Sequence, residues 1–198
     1  RGGLGMSGPG GFSWTCQKAR LLDATRDVEL SGEVRVRRGG AAVDAEALRL
    51  RRDASRRLRD AEGSGGVSGS GGESGAADLR FAAGRAKVRW DEAGNPVELA
   101  LEEEASLLRA GSSLAAAAVH AAREGAGPNA LWRVRAVGSV RADGAWGGGP
   151  ARLEAERLVA EVDPKGAVRS AEIDGAARFE GRGISAEAAS IRVEVSPA

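Results

Sequence analysis

The sequence predicts an all-β protein of repeated antiparallel strands, and three observations support this fold class. Residues 43–65 align without a gap to residues 153–175, with eight identical positions. The second copy carries the turn-forming order Asp-Pro-Lys-Gly at 163–166, in the middle of the segment. On both sides of such turns, apolar and polar residues alternate with the period of two that indicates a β-strand.

The repeat also bears on whether its first copy is strand or helix. Taken alone, residues 42–62 place apolar side chains at helical spacing among good helix formers. A proline inside a helix costs about 3 kcal/mol, so Pro164 in the matching segment favours two strands joined by a turn. Asp53 is then expected to open the equivalent turn. Helix remains the alternative for 42–62 and for the alanine-rich stretch 100–124.

The remaining elements are hairpins and short strands. Two hairpins are predicted, with turns at 23–27 and 91–96, because apolar alternation flanks a cluster of turn-forming residues. A glycine-led strand is predicted ahead of each copy of the repeat. These strands are Gly32 to Val36, Gly138 to Ala142 and Gly175 to Phe179.

The domain organisation follows from the glycine-rich stretches. Residues 1–11 are expected to form a flexible N-terminus, and residues 12–198 a single domain. Glycine-rich loops are expected at 63–75 and 144–150, where few side chains are available to pack.

The copies of the repeat share a change of parity after an Ala-Glu pair. Val43 and Ala45 lie on one strand face, whereas Leu48 has the opposite parity. One extra residue after the pair, a β-bulge, would keep both apolar sets on one face and bend the strand. The predicted bulges are near Glu46, Glu156 and Glu187, with Leu153 and Leu158, and Ile184 and Ile191, as the equivalent apolar residues.

Composition excludes several classes of function. The net charge is +1 and aromatic residues are 4% of the chain, so neither a general attraction to nucleic acid nor a base-stacking surface is indicated. A single cysteine, Cys16, excludes an internal disulfide and a multi-cysteine metal site. The longest uncharged apolar stretch, residues 114–119, is too short to span a bilayer as a helix. No secretion signal is recognisable in the chain.

Two segments resemble the OstA-like repeats of the periplasmic lipopolysaccharide-transport (Lpt) proteins. They are LLDATRDVELSGEVRVRRGGAAVDAEALRL, residues 21–50, and AVGSVRADGAWGGGPARLEAERLVAEVD, residues 136–163. Both contain a glycine-led strand of the form G-x-V-x-V, a polar turn, and an apolar-x-Ala-x-x-apolar strand. The resemblance covers roughly residues 14–195, with a poor fit over 102–130 and a long Gly/Ser insert at 63–75.

The resemblance implies an open, antiparallel β-jellyroll in the periplasm. It implies a hydrophobic groove for the acyl chains of lipopolysaccharide or another acylated lipid. It further implies docking with related jellyroll domains in a bridge between the two membranes, or head-to-tail association of identical copies. The implied function is lipid binding and transport without catalysis and without a cofactor or metal.

Three sets of residues are candidates for these interactions. The groove candidates are inward apolar side chains, whose small alanine neighbours leave room for an acyl chain: Val34, Val36, Val43, Leu48, Trp90, Leu99, Leu153, Leu158, Ile173, Phe179 and Ile184. The phosphate candidates are Arg35, Arg37, Arg49 and Arg51, from an arginine-rich region that is more simply explained as a basic strand edge that blocks aggregation. The docking candidates are Phe12, Trp14, Ile191, Val193 and Val195 on the first and last strands.

Two other functions remain open at this point. A structural β-solenoid or filament module would show the same repeat with a filled interior. A carbohydrate-active jellyroll would require a converging pair of carboxylates. His120 and Cys16 are more simply explained as structural residues than as a catalytic pair. The dinucleotide-type pattern at residues 3–8 is preceded by no strand and carries no function.

Overall fold

The computed structural model is all-β over the residues that it describes, which confirms the predicted fold class. Those residues are 4–8, 12–22, 27–38, 41–53, 55, 57–71, 79–93, 95–109, 111–125, 130–146, 149–164, 166–181 and 183–194. The helical alternative for 42–62 and 100–124 is wrong, because the described residues of both stretches form strands and the turns that join them.

Thirteen strands are formed by the described residues. They are β1 (Leu4–Gly8), β2 (Phe12–Cys16), β3 (Lys18–Leu22), β4 (Asp27–Arg38), β5 (Ala41–Arg52), β6 (Leu58–Gly71), β7 (Leu79–Trp90), β8 (Pro96–Arg109), β9 (Ser112–Glu124), β10 (Leu131–Trp146), β11 (Gly149–Val162), β12 (Val168–Gly181) and β13 (Ile184–Glu194).

The chain divides into two compact units, residues 1–101 and residues 102–198, where the sequence predicted one domain over 12–198. In the first unit, the order of hydrogen-bonded strands is β1-β2-β4-β5-β6-β7, with β3 also paired to β4. In the second unit the order is β9-β10-β11-β12-β13. All of these pairs are antiparallel, so each unit is a meander of consecutive hairpins.

Two stretches that the sequence assigned outside strands lie partly in strands. Leu4–Gly8, expected within the flexible N-terminus, forms β1. Residues 63–71 of the predicted loop 63–75 form the second half of β6, which pairs with β5 and β7. Glycine lacks a side chain to pack, but hydrogen bonding on both sides stabilises this half-strand, and Val67 is buried within it.

The second predicted glycine-rich loop is also shorter than expected. Of residues 144–150, positions 144–146 end β10 and positions 149–150 begin β11. Residues 1–3, 9–11, 23–26, 72–75 and 147–148, which complete the predicted terminus, turn and loops, lie outside the described residues.

Three connections share one aspartate-led turn. The N–H groups of Asp53, Asp91 and Asp163 donate to the carbonyl four residues later, each at 2.9 Å. In return, the Oδ1 of each aspartate accepts from the backbone N–H of that same later residue, at 2.8–2.9 Å. The predicted turn at Asp53 is therefore confirmed, and it is built like the turn that contains Pro164.

The five even-numbered strands from β4 to β12 carry two consecutive residues with positive φ near their centre. The pairs are Gly32-Glu33, Gly65-Gly66, Glu103-Glu104, Gly138-Ser139 and Gly175-Ala176. Four of the five begin with glycine, which adopts this conformation at no steric cost. The glycines that the sequence placed at the start of short strands therefore lie in the middle of long ones.

These pairs are β-bulges. Between Ser31 and Val34 on β4 stand two residues, whereas only Glu46 stands between their partners on β5. The same mismatch of two against one places Glu156 of β11 opposite the bulge of β10. The predicted breaks at Glu46 and Glu156 are confirmed, but the prediction that the extra residue lies on those strands is wrong. A change of parity in one strand does not reveal which of two paired strands carries the insertion.

The third predicted break is displaced. On β13, the residue opposite the bulge of β12 is Ala189 rather than Glu187. The expected shared face of Ile184 and Ile191 is present in the register, but Ile184 is 61% exposed because it begins the last strand.

The bulges bend the strands, so that both halves of a strand contribute to one apolar core. In the first unit, Trp14 and Val36 on one side of the bulge, and Leu50 and Leu58 on the other, pack in the same cluster around Leu30. Leu30 is only 1% exposed. On a flat sheet its side chain would meet water, so the sheet must cover this face itself. The unit is therefore an antiparallel jellyroll, folded over its own inner face.

The second unit bends in the same way. Arg109, at the end of β8, donates from Nη2 to the carbonyl oxygen of Pro164 at 3.1 Å, in the turn after β11. β8 and β11 are not neighbours in the strand order, so this contact requires the sheet to curve back on itself. Alanines occupy much of the core of this unit, with Leu153 and Ile173 as its largest fully buried side chains.

Candidate functional site

The predicted groove residues fall into three classes of exposure. Those buried in the core are Val34, Leu48, Leu153, Leu158 and Ile173, at 0–6% exposure. Those half-buried are Val36, Val43, Trp90, Leu99 and Phe179. Ile184 is exposed. The structure therefore places most of this set within packed apolar cores, and only the half-buried and exposed members reach a surface that a ligand could touch.

One surface depression adjoins this apolar set. It has a volume of about 740 Å³ at the ends of β10, β11 and β12 in the second unit. Its lining includes Gly144, Ala151 and Gly181, which are cross-strand neighbours of one another in one row of the sheet.

The row belongs to the inner face of the sheet. Ala151 has the same parity as Leu153, and Leu153 is the cross-strand partner of Phe179. Gly181 is the partner of Ile184, the exposed isoleucine of β13. This row of small residues therefore continues the apolar inner face from the buried Leu153 to the exposed Ile184.

The glycines are required for this shape. A Cβ on Gly181 would lie 2.9 Å from the Cβ of Ala151, and one on Gly144 would collide with the side chain of Ser112. The rim carries charge of both signs, from Asp143, Arg152 and Glu180. Sequence reasoning missed these residues because Gly144 lies in a predicted loop and because the pairing that brings Ala151 and Gly181 beside it cannot be read from a single segment.

The predicted phosphate contacts are engaged with carboxylates. Arg35 donates from Nε to Asp44 at 2.6 Å, and Arg49 donates from Nη2 to Asp27 at 2.8 Å. The hydrogen bond from each guanidinium to its carboxylate raises the pKa of that arginine above the usual value.

The two remaining phosphate candidates differ from each other. Arg51 contacts both Asp60 and Glu62, at 3.0 and 3.1 Å. Arg37 is exposed, and no ion pair joins it to another described residue. Most of this arginine set therefore stabilises pairs between strands, and phosphate binding by Arg35, Arg37, Arg49 and Arg51 stays a prediction.

A second depression, of about 770 Å³, lies on the outer face of the first unit. Its floor is a row of small residues, Ser31, Ala47 and Ser64, in direct cross-strand register. Beside it runs a row of alternating charges across five strands: Arg20, Glu29, Arg49, Glu62 and Lys87. Opposite charges directly across strands stabilise the register, so this face is charge-balanced.

Of the two strands predicted to be docking edges, one lies at an edge of the sheet and the other does not. β2, with Phe12 and Trp14, pairs with β1 on one side and β4 on the other, so its assignment as an edge is wrong. The glycine-rich sequence around Leu4 predicts a flexible terminus, and that assignment conceals the outer strand. The true edge of the first unit is formed by β1 and β3, and it presents Leu21 at 62% exposure.

The other edge is where the sequence placed it. β13 pairs with β12 and with no other strand of the described residues. Ile191 and Val193 are half-buried on it, and Val195 lies outside the described residues.

The other candidate residues have structural surroundings. The buried Cys16 thiol donates to the carbonyl oxygen of Lys18 at 3.1 Å. His120 is half-buried in β9, opposite Arg135. Across the described parts of the chain, no three or more His, Cys, Asp or Glu side chains gather as a metal site would need. Nor does that part contain a helix long and apolar enough to cross a membrane.

The class of protein that these features define is an antiparallel β-jellyroll assembled from bulged hairpins. No family model matches the chain, and no curated protein matches its sequence. Among solved structures, the chain is similar to the crystal structure of LptH from Pseudomonas aeruginosa, described as the LptA homologous periplasmic component of the conserved lipopolysaccharide transport device. The similarity covers 55% of this chain and 73% of that one, with 13% sequence identity and a TM-score of 0.47.

Proposed function

We propose that this protein is a non-enzymatic, periplasmic component of lipopolysaccharide transport. It shelters lipid acyl chains on the inner face of its jellyroll and docks through its strand edges with similar jellyrolls. The observation that carries the proposal is the row of small residues Gly144, Ala151 and Gly181, which lines a surface depression and continues the inner face of Leu153 and Phe179. The OstA-like repeats, whose glycines coincide with the bulges at Gly32 and Gly138, support the same function.

The depression suits an acyl chain rather than a polar ligand. The row Gly144, Ala151 and Gly181 presents no side chain larger than a methyl group, and the next residues inward on the same face are Leu153 and Phe179. Burial of an acyl chain along this row would stabilise binding by about 0.8 kcal/mol for each methylene removed from water. Arg152 on the rim is placed to meet an anionic headgroup while the chain lies below it.

Site-specific photo-crosslinking tests the proposal. A photoreactive amino acid at Ala151 or Phe179 is expected to label with lipopolysaccharide, because both positions belong to the inner face. The matched control is Arg178, the residue before Phe179 on the same strand, which is exposed on the outer face beside Glu154 and Glu187 and does not line the depression. Equal labelling at Ala151 and Arg178 would indicate adventitious adsorption and would contradict the proposal.

A second candidate function, a structural module with a filled interior, is favoured by the tight packing of Leu158 and Ile173, at 3% and 0% exposure. In that case Ala151→Trp, which fills the depression, would leave every function intact. Under the transport proposal the same substitution blocks lipid binding while the protein stays folded, since the depression is open to solvent. Lipid binding by Ala151→Trp, measured beside Arg178→Trp as the control outside the depression, separates the two functions.

A further inference from the structure

The edge of the first unit consists of an open half and a covered half. β2 and β3 lie end to end along β4, with five residues on each side of Gln17. β1 covers β2 over its whole length, from Leu4 opposite Cys16 to Gly8 opposite Phe12. β3 pairs with β4 and with no other described strand, and four of its five residues are exposed. The chain therefore folds its own strand over half of a docking edge and leaves the other half free.

The last strand, β13, has the construction that this edge would accept. It has five residues on each side of Ala189, which faces the bulge of β12, just as Gln17 faces the bulge of β4. Its outer edge is unpaired among the described residues. A second copy of this chain therefore presents a strand of matching length and pattern.

The side chains select one register. With Leu21 opposite Ile184 in an antiparallel pair, the two exposed apolar side chains, at 62% and 61%, cover each other. The same register sets Lys18 opposite Glu187, which are opposite charges on the outer face. A parallel pair with Gln17 beside Ala189 would instead place Arg20 next to Arg192, so the charges favour the antiparallel arrangement.

Only part of β13 can dock while β1 stays in place. In this register residues 184–187 meet the open β3, but residues 189–193 fall opposite β2 and would occupy the position that β1 holds there. β1 is Leu-Gly-Met-Ser-Gly, with two glycines in five residues, whereas the competing segment contains Ile191 and Val193. Glycine is unfavourable in strands and β-branched residues are favourable, so strand propensity favours β13 over β1 as the neighbour of β2.

We infer that β1 is a displaceable cap, and that β13 of a second copy lands on β3 and then replaces β1 along β2. This inference rests on the strand docking of the proposed function and adds its entry point, its register and its internal competitor. β3 serves as the site of first contact, because it is the exposed part of the edge. β1 prevents indiscriminate pairing, since natural sheets protect their free edges.

A disulfide between β1 and β2 tests the inference in the full chain. Leu4 and Cys16 are direct cross-strand partners, and Cα atoms at that spacing suit a disulfide. The variant Leu4→Cys, oxidised, holds β1 in place. Its self-association, followed by sedimentation at increasing concentration, is expected to be at least tenfold weaker than that of the same variant after reduction. Leu4→Ser, which lacks the second thiol, is the control and is expected to be insensitive to reduction.

Hydrogen exchange gives a second readout. When the reduced protein associates, the amides of Leu4–Gly8 are expected to lose protection while those of Lys18–Leu22 gain it. Equal association of the locked and reduced forms would overturn the displacement inference and leave docking intact. Absence of association in every form would overturn both the inference and the docking. The lipid-binding part of the proposed function is decided separately, by labelling at Ala151.

Discussion

At the scale of the residue, buried aspartates pair with arginines, and Asp163 also stabilises a turn. Asp163 is 7% exposed, accepts from the N–H of Ala167 at 2.9 Å, and accepts from Arg169 at 2.9 Å. Asp27 and Asp60 are buried as well, and each is paired with an arginine of β5. The fold tolerates a buried carboxylate that keeps such partners, but removal of one partner lowers the free energy of unfolding because it leaves an unpaired buried charge. Arg49 and Arg51 of the arginine-rich region are thus explained by the carboxylates that they pair with.

Asp163→Ala is expected to lower the free energy of unfolding by about 2–3 kcal/mol, because it removes two hydrogen bonds and leaves the Arg169 guanidinium without its partner. Asp91→Ala is the matched control. Asp91 accepts the same turn hydrogen bond, from Asn95 at 2.8 Å, and is less buried. Its loss is expected to cost about 1 kcal/mol. Urea denaturation of both variants measures the difference, and equal losses would contradict this account of Asp163.

The turn at Asp53 makes stability depend on pH. The hydrogen bond from the backbone N–H of Arg57, and then the Arg57 guanidinium, lower the pKa of Asp53 below its ordinary value of 3.8. A carboxylate with a lowered pKa stabilises the fold above its unfolded pKa, and this stabilisation is lost as the pH falls through the folded pKa. Asp53→Asn, which keeps an acceptor oxygen without charge, is expected to be less stable than the wild type at pH 6.

Thermal unfolding of both proteins between pH 6 and pH 2 checks this sign. The gap in melting temperature is expected to narrow below pH 3.8 and to close once Asp53 is protonated in the folded state. A gap that stays constant down to pH 2 would show that the charge of Asp53 does not contribute.

At the scale of the strand, the bulge is the repeated element. Gly175 has φ of +79°, and a Cβ there would lie 2.6 Å from the Cβ of Glu156 on the neighbouring strand. Gly65 stands in the same relation to Glu46. Each glycine is therefore needed both for its backbone conformation and for the close approach of the side chain above it. The strand pair, rather than the single strand, is the unit of this fold.

Gly175→Ala is expected to destabilise the protein by more than about 2 kcal/mol. The left-handed conformation costs roughly 1–2 kcal/mol for a residue with a Cβ, and the clash with Glu156 adds to it. Gly183→Ala is the matched control, because Gly183 has φ of +74° but a Cβ added there would meet no atom within 4 Å. Its cost is expected to be the conformational part alone. Chemical denaturation that shows equal losses for the two variants would refute the role of the close approach.

The sequence predicted the strands better than it predicted their pairing. Pro164 in one copy of the repeat correctly excluded a helix over the other, because a turn signal carries over between equivalent segments. The position of the break at Glu46 was visible as a change of parity. The residue inserted opposite it, and the strand at Leu4–Gly8, were not visible, since a partner strand leaves no trace in the spacing of a single segment. The depression at Ala151 was missed for the same reason.

At the scale of the whole molecule, the two edges are different surfaces. One is formed by β1 and β3, the other by β13. Association between unlike surfaces is heterologous, so it continues from copy to copy unless the geometry closes a ring. A protein with these edges is expected to form a series of oligomers at rising concentration, whereas a like-to-like contact would stop at a dimer.

Two exposed positions allow this expectation to be tested by mixing. Leu21→Asp blocks the β3 edge and Ile184→Asp blocks the β13 edge, and the two side chains are 62% and 61% exposed, so the fold is expected to tolerate either change. Each variant alone should be monomeric, because each pairing needs one surface of each kind. Mixed in equal amounts, they should form dimers and nothing larger, since the intact β13 of the Leu21→Asp protein can dock on the intact β3 of the Ile184→Asp protein. Analytical ultracentrifugation of the separate and mixed proteins distinguishes these states. Oligomers in either variant alone would show that the contact lies elsewhere, and a mixture that stays monomeric would show that Leu21 and Ile184 do not meet.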